Sequence, residues 1–142
     1  AGHLMFLAKD AQLGQPEIKL GVFAPAASVI LPERMPRVVA EDMLYSGRSI
    51  SADDAVANGL ANSVGDNAEA DALAWFDKHI ANYSGAALRH AVTAARLGYA
   101  ERVRNKISSV EALYLTELMA TRDAVEGLEA FIAKRPVKWE HR

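Results

Sequence analysis

Apolar residues follow two different periods along this chain, and the change falls near residue 28. Before it, Leu4-Met5-Phe6-Leu7-Ala8 is an unbroken apolar run of the length of a buried strand. Lys9-Asp10 turns the chain, and Ile18, Leu20 and Val22 then alternate with other residues, the period of a strand with one face buried. After residue 28 the pattern is helical, so strands are expected only within the first 25 residues. Ser28 is a candidate cap for a short helix to about residue 35, in which Pro32 suits only the first turn. Pro36 suits the first position of a helix to about residue 45. Ser51 and Asp54 form a capping-box variant before the next helix, and Gly59 is the left-handed residue expected to end it. Further helices are predicted over 68–79, with Leu73, Phe76 and Ile80 on one side, and over 85–97. The longest is expected over 101–119, where Val103, Ile107, Val110, Tyr114 and Leu118 form a stripe that requires a partner surface. Thr121 can cap the last helix, whose apolar positions are Val125, Leu128 and Ile132.

One carboxylate stands out against this pattern. Glu17 follows Pro16 directly, inside the otherwise apolar segment Ala11-Gln12-Leu13-Gly14-Gln15-Pro16-Glu17-Ile18-Lys19-Leu20-Gly21. Pro16 fixes its own φ and keeps Gln15 out of the helical region, so the Glu17 side chain leaves a stiff backbone at a defined angle. A carboxyl group among apolar neighbours is easier to keep protonated and can then serve as a general acid. The alternative is a solvated charge at a strand edge.

Other candidates are explained more cheaply. Asp53-Asp54 sits where helix-start chemistry favours negative charge, which accounts for the pair without a metal. His3, His79, His90 and His141 lie in no metal-ligand spacing. Ser46-Gly47 and Ser84-Gly85 lack the strand-to-helix context of a nucleophile elbow. The nine glycines form neither a dinucleotide-binding fingerprint nor a phosphate-binding loop.

Composition narrows the class further. The 142 residues suffice for one domain with a real core, and 51% are hydrophobic, an ordinary fraction. A formal net charge of −2 argues against a general nucleic-acid binder. There is no cysteine, hence no disulfide, thiolate ligand or thiol nucleophile, a usage compatible with the cytoplasm. No apolar run reaches the roughly 18 residues of a membrane span, so the expected localisation is cytoplasmic, with no membrane and no nucleic acid among the partners.

Four blocks, in order, resemble the enoyl-CoA hydratase/isomerase, or crotonase, superfamily. The Ala11–Gly21 segment is similar to the family's A-x-F/L-G-x-P-E block. Leu44-Tyr45-Ser46-Gly47-Arg48-Ser49-Ile50-Ser51-Ala52 resembles L-x-G-x-x-I/F-S/T-A, and it leads into Ala55-Val56-Ala57-Asn58-Gly59-Leu60-Ala61-Asn62-Ser63-Val64, similar to A-x-x-x-G-L-V-x-x-V. Asp123-Ala124-Val125-Glu126-Gly127-Leu128-Glu129-Ala130-Phe131-Ile132-Ala133-Lys134-Arg135 resembles the terminal D-x-x-E-G-x-x-A-F-x-x-K-R. One departure is informative: where the family reads x-x-P-G-x-G-G, this chain reads Val22-Phe23-Ala24-Pro25-Ala26-Ala27-Ser28. Together with the Lys138-Trp139-Glu140-His141-Arg142 ending, it resembles the branch that hydrates cyclic dienoyl-CoA thioesters in anaerobic aromatic degradation.

The resemblance implies an α/β, crotonase-like fold (a ββα superhelix), here its C-terminal portion. Residues 1–65 would hold the last core strands, and 66–142 a helical assembly region. It implies an acyl-CoA hydratase, with Glu17 as one of two catalytic glutamates. The substrate would lie along Gly14, Pro16, Val22, Phe23 and Pro25, with Phe131 and Lys134 near the CoA nucleotide, often in a neighbouring subunit. For Lys134, Arg135, Lys138 and Arg142, offsetting the dipole of the last helix is the alternative role. No metal or redox cofactor is expected, because coenzyme A arrives as part of the substrate. The family's first catalytic Glu and its oxyanion-hole blocks are not found among these residues, so the expected partners are the enzyme's own N-terminal half and further copies, as a homotrimer or a dimer of trimers. The chain alone is then expected to be inactive. A general enoyl-CoA hydratase/isomerase of fatty-acid oxidation is the alternative function, and in isolation a non-catalytic assembly module.

Overall fold

A computed structural model describes residues 2–142. The N-terminal part interleaves short strands and short helices. Strand β1 (Phe6–Ala8) pairs in parallel with β4 (Ser63–Gly65), Leu7 lying opposite Val64. Strand β2 (Gln12–Gly14) pairs antiparallel with β3 (Ser49–Ser51), Leu13 lying opposite Ile50. Between them run α1 (Pro25–Ile30), α2 (Arg37–Ser46) and α3 (Ala52–Ala57). Met35, Ala40, Met43, Ile50, Ala55, Leu60 and Ala61 form the buried core beneath these elements, with Leu7, Leu13 and Val56 packed on its margin.

Two strand expectations are corrected. Strands β3 and β4 lie well beyond residue 25. Each has only three residues, and each is set by its pairing with a distant partner. Ile18, Leu20 and Val22 do not form a strand, because Pro16–Leu20 is a 3-10 turn. Pro16 offers no N–H to a ladder and its φ already suits a helical start. The segment therefore closes on itself, the Gly21 N–H donating to the Ile18 carbonyl at 3.1 Å.

The helix starts follow local chemistry. The Ser51 hydroxyl accepts from the Asp54 N–H while the Asp54 carboxylate accepts from the Ser51 N–H, completing the expected capping box. Gly59 takes the left-handed conformation at φ 71°, as expected. Helix α1 begins at Pro25, earlier than Ser28 suggested, and the Ser28 hydroxyl donates back to the Ala24 carbonyl instead of capping. Pro36 takes the N-cap itself, one position ahead of the expected one.

The second part is helical: α4 (Ala68–His79), α5 (Gly85–Ala112) and α6 (Arg122–Ile132). The helices expected over 85–97 and 101–119 are one continuous helix of 28 residues, followed by a π-helical turn, Leu113–Glu117, and a 3-10 turn, Leu118–Ala120. An interior glycine such as Gly98 costs a helix only about 1 kcal/mol. Packing of α5 along α1, and Glu33 bound to both Arg102 (2.6 Å) and Lys106 (3.0 Å), outweigh it. The stripe Val103, Ile107, Val110, Tyr114 and Leu118 is half-buried, as a partnered stripe should be.

On two helices the covered residues are not the ones that apolar spacing picks out. On α4, Leu73 and Phe76 are exposed, and Trp75 instead packs against Phe6 of β1. On α6 the buried residues are Ala124, Gly127 and Ala130, while Val125 and Ile132 face outward. Only small side chains leave room there, because the backbone of the Pro16–Leu20 turn comes directly against the helix: a Cβ at Gly127 would run into the Leu20 carbonyl.

Candidate active site

Glu17 is the second residue of the Pro16–Leu20 turn. Gln15 enters it outside the helical region, at φ −130° and ψ 78°, as the proline that follows requires. Gly21 leaves it in the left-handed region at φ 75°, where a residue with a Cβ would be strained. The Val22 N–H reaches back to the Glu17 carbonyl at 3.4 Å. The turn is gripped from two sides. Gly47, at the end of α2, lies so near Ile18 that a Cβ there would come within 2.9 Å of its methyl group. On the other side stands α6: a Cβ at Gly127 would strike the Leu20 carbonyl, and one at Gly21 would strike the Asp123 carbonyl.

The Glu17 side chain is half-buried, and its Oε2 is sealed from solvent without a hydrogen-bond partner. A buried acceptor left unpaired carries a desolvation cost of about 1–3 kcal/mol, and native proteins keep few such groups. A carboxyl oxygen in that condition is open to a hydrogen bond from a bound molecule.

The neighbouring candidates divide into two groups. Val22 is buried beside the turn. Phe23 is half-buried and meets Tyr114 edge-on, with ring centroids 5.3 Å apart. Pro25 opens α1 and lines a groove with Ala26, Ile107, Glu111, Tyr114 and Leu115, apolar except for Glu111. Gly14 ends β2, where a Cβ would crowd Ser49 of the paired strand, so strand packing already favours a glycine. Phe131 and Lys134 stand apart from these at the C-terminal end of α6: Phe131 is 65% exposed, and Lys134 is an exposed residue at φ 51°.

Sequence reasoning passed over two features. Tyr114 was one member of a helical stripe, and only the structure shows it on a π turn facing Phe23. The second is the C-terminal tail, which folds back along α6. Arg135 grips Glu126 with two nitrogens, at 2.6 and 2.7 Å, so this cation serves an ion pair inside the chain. That bond, with the Lys138 N–H, holds the Glu126 carboxyl down at about 2, against the opposing effect of desolvation. The available signal was the pair Asp123 and Glu126, three residues apart on one helix face and followed by a basic tail.

Among the described residues, no group of His, Asp and Glu is placed to hold a metal ion, and no helix is long and apolar enough to cross a membrane.

The enoyl-CoA hydratase/isomerase profile matches residues 2–142. The chain belongs to that family. Cyclohexa-1,5-dienecarbonyl-CoA hydratase of Thauera aromatica is 55% identical to it over 142 residues, covering 100% of this chain and 55% of that protein. Carnitinyl-CoA dehydratase of Proteus mirabilis is 29% identical over 147 residues, covering 100% of this chain and 56% of that protein. The fold agrees with this enoyl-CoA hydratase/isomerase assignment. The crystal structure of carnitinyl-CoA hydratase from Mycobacterium avium superposes with a TM-score of 0.74 at 28% identity, over 99% of this chain and 56% of that one. An enoyl-CoA hydratase/isomerase from Pseudoalteromonas atlantica reaches 0.82 at 22% identity, over 96% and 55%, and speaks for the crotonase fold alone. The chain spans about half the length of the curated relatives it matches, 55% of the Thauera protein.

Proposed function

We propose that this chain is the C-terminal portion of an acyl-CoA hydratase that adds water to a conjugated enoyl-CoA thioester, a cyclic dienoyl-CoA in particular. Residues 1–65 complete the catalytic core, and 66–142 serve assembly as a trimer or a dimer of trimers. The observation that carries the catalytic reading is Glu17: a carboxyl with one buried, unpartnered oxygen, on a short turn gripped between two helices. In the reaction, one water contributes hydroxide to the conjugated system and a proton to carbon. Glu17 delivers the proton, and the transient enolate on the thioester requires backbone N–H donors, each worth a few kcal/mol. Those donors and a second glutamate come from the N-terminal half. Coenzyme A enters as part of the substrate.

Two features support the cyclic substrate. One is the 55% identity, along the whole chain, to a hydratase of that class. The other is the loop from Phe23 to α1, in which side chains and Pro25 replace a glycine-rich turn and Phe23 leans on Tyr114. A flat ring fills such an apolar slot better than a slim linear chain does.

The test is turnover by the complete enzyme, followed as loss of conjugated absorbance on a cyclic dienoyl-CoA and on crotonyl-CoA. Glu17→Gln is expected to lower kcat by roughly 10²–10⁴-fold, with thioester binding nearly intact. A variant that keeps more than about half of wild-type kcat removes Glu17 as proton donor. Equal or better efficiency on crotonyl-CoA returns the enzyme to the general enoyl-CoA hydratases. Residues 1–142 alone are expected to show no turnover.

A further inference from the structure

The tail is tied to the start of α6 by a series of backbone bonds to two carboxylates. Asp123 accepts the Glu140 N–H at 2.7 Å through Oδ1 and the His141 N–H at 2.8 Å through Oδ2. Glu126 accepts the Lys138 N–H at 3.0 Å beside its pair with Arg135. The Arg142 carbonyl in turn accepts from the Arg122 and Asp123 N–H groups at 2.9 and 3.3 Å, satisfying donors that a helix start leaves open. This lacing lays the Trp139 ring over the two glycines where α6 meets the Glu17 turn. A Cβ at Gly21 would lie 2.9 Å from the ring, and one at Gly127 would lie 3.0 Å from it. The indole thus fills the space that two missing side chains leave open.

The Gly21 and Val22 amides close the turn onto the Ile18 and Glu17 carbonyls. Glu17 Oε2 has no hydrogen-bond partner to orient it. With no hydrogen bond on that oxygen, the backbone of the turn carries much of the burden of placing the carboxyl, and the Trp139 ring lies against that turn at Gly21.

We propose that residues 135–142 are a strap that positions the Glu17 turn, with Trp139 as the positioning residue. The catalytic part of this rests on Glu17 as the proton donor. Two measurements on the complete enzyme separate it from that reading. Hydrogen exchange at the Gly21 and Val22 amides is expected to quicken at least tenfold in Trp139→Ala and to return to near the wild-type rate in Trp139→Phe. Steady-state kinetics are expected to show kcat down about tenfold in Trp139→Ala, with KM within twofold and recovery in Trp139→Phe. Trp75→Leu, which loosens α4 from Phe6, supplies a destabilised control expected to move neither readout. Unchanged exchange in Trp139→Ala overturns the strap. Faster exchange with unchanged kcat overturns the positioning role and leaves a purely structural contact. A wild-type enzyme without turnover overturns the hydratase reading instead, and exchange then decides the strap by itself. If Trp139→Ala does not fold, Glu126→Gln, which loosens the tail and keeps the indole, is measured in its place under the same criteria.

Discussion

Lys134 ends α6 in a conformation that glycine normally takes. Its N–H donates to the Phe131 carbonyl at 3.2 Å and the Arg135 N–H donates to the Ala130 carbonyl at 3.0 Å, the two bonds of a Schellman cap. The left-handed position falls on a lysine at φ 51° because the next residue must turn back at once to reach Glu126. A side chain in that region costs about 1–2 kcal/mol. Lys134→Gly is therefore expected to stabilise the chain by about 1 kcal/mol, read as a higher midpoint in urea. An equal or lower midpoint would show that the strain is relieved elsewhere. Nothing in composition or spacing pointed to this, since a lysine carries no turn signal. The fixed backbone entry to Glu17 is legible, because Pro16 announces it. The form of the turn is not, because Ile18, Leu20 and Val22 read equally well as a strand until the missing proline N–H is weighed.

Helix α6 shows what governs an element. Its large apolar side chains Val125, Leu128 and Ile132 are not the fully buried ones; Ala124, Gly127 and Ala130 are. Periodicity reports where large side chains lie, whereas a backbone pressed against a helix selects small ones. The caps at Ser51, Gly59 and Thr121 are legible in the sequence, since each depends on residues within three positions. The length of α5 is not legible in its own residues, because its continuity is secured by α1 and Glu33, far away in sequence. The docking of the tail on α6 also has a pH signature. Glu126 is depressed from 4.5 to about 2, first by the Arg135 hydrogen bond and then by the Lys138 N–H. A depressed carboxyl contributes stability that is complete above its unfolded value and is lost as pH falls through the folded one. Wild type should therefore melt above Glu126→Gln at neutral pH, and the two melting temperatures should converge between about 4.5 and about 2. A constant gap across that range would show that the carboxylate does not hold the tail.

At the scale of the molecule, much apolar surface remains uncovered. Val38, Leu97, Leu115, Phe131 and Ile132 are all more than half exposed. Soluble monomers rarely leave contiguous apolar patches beyond a few hundred Å² open, and symmetric association is the usual remedy. Residues 1–142 are accordingly expected to self-associate in analytical ultracentrifugation over a tenfold concentration range. A clean species near 15.3 kDa throughout, with no dye bound to apolar surface, would contradict this. Family and fold class were legible from four ordered blocks, because each encodes a local constraint. Strands β3 and β4 were not, because three-residue strands are specified by partners more than thirty positions away.

The approach of Gly127 to Leu20 also has a consequence in time. During synthesis the Glu17 segment leaves the ribosome long before the helix that will press on it, and closing a loop of that span is entropically slow. The turn can pair its own amides early, but its outer wall arrives only with residues 123–142. Glu17 is thus among the earlier residues of this chain to be made and among the last to be held in place.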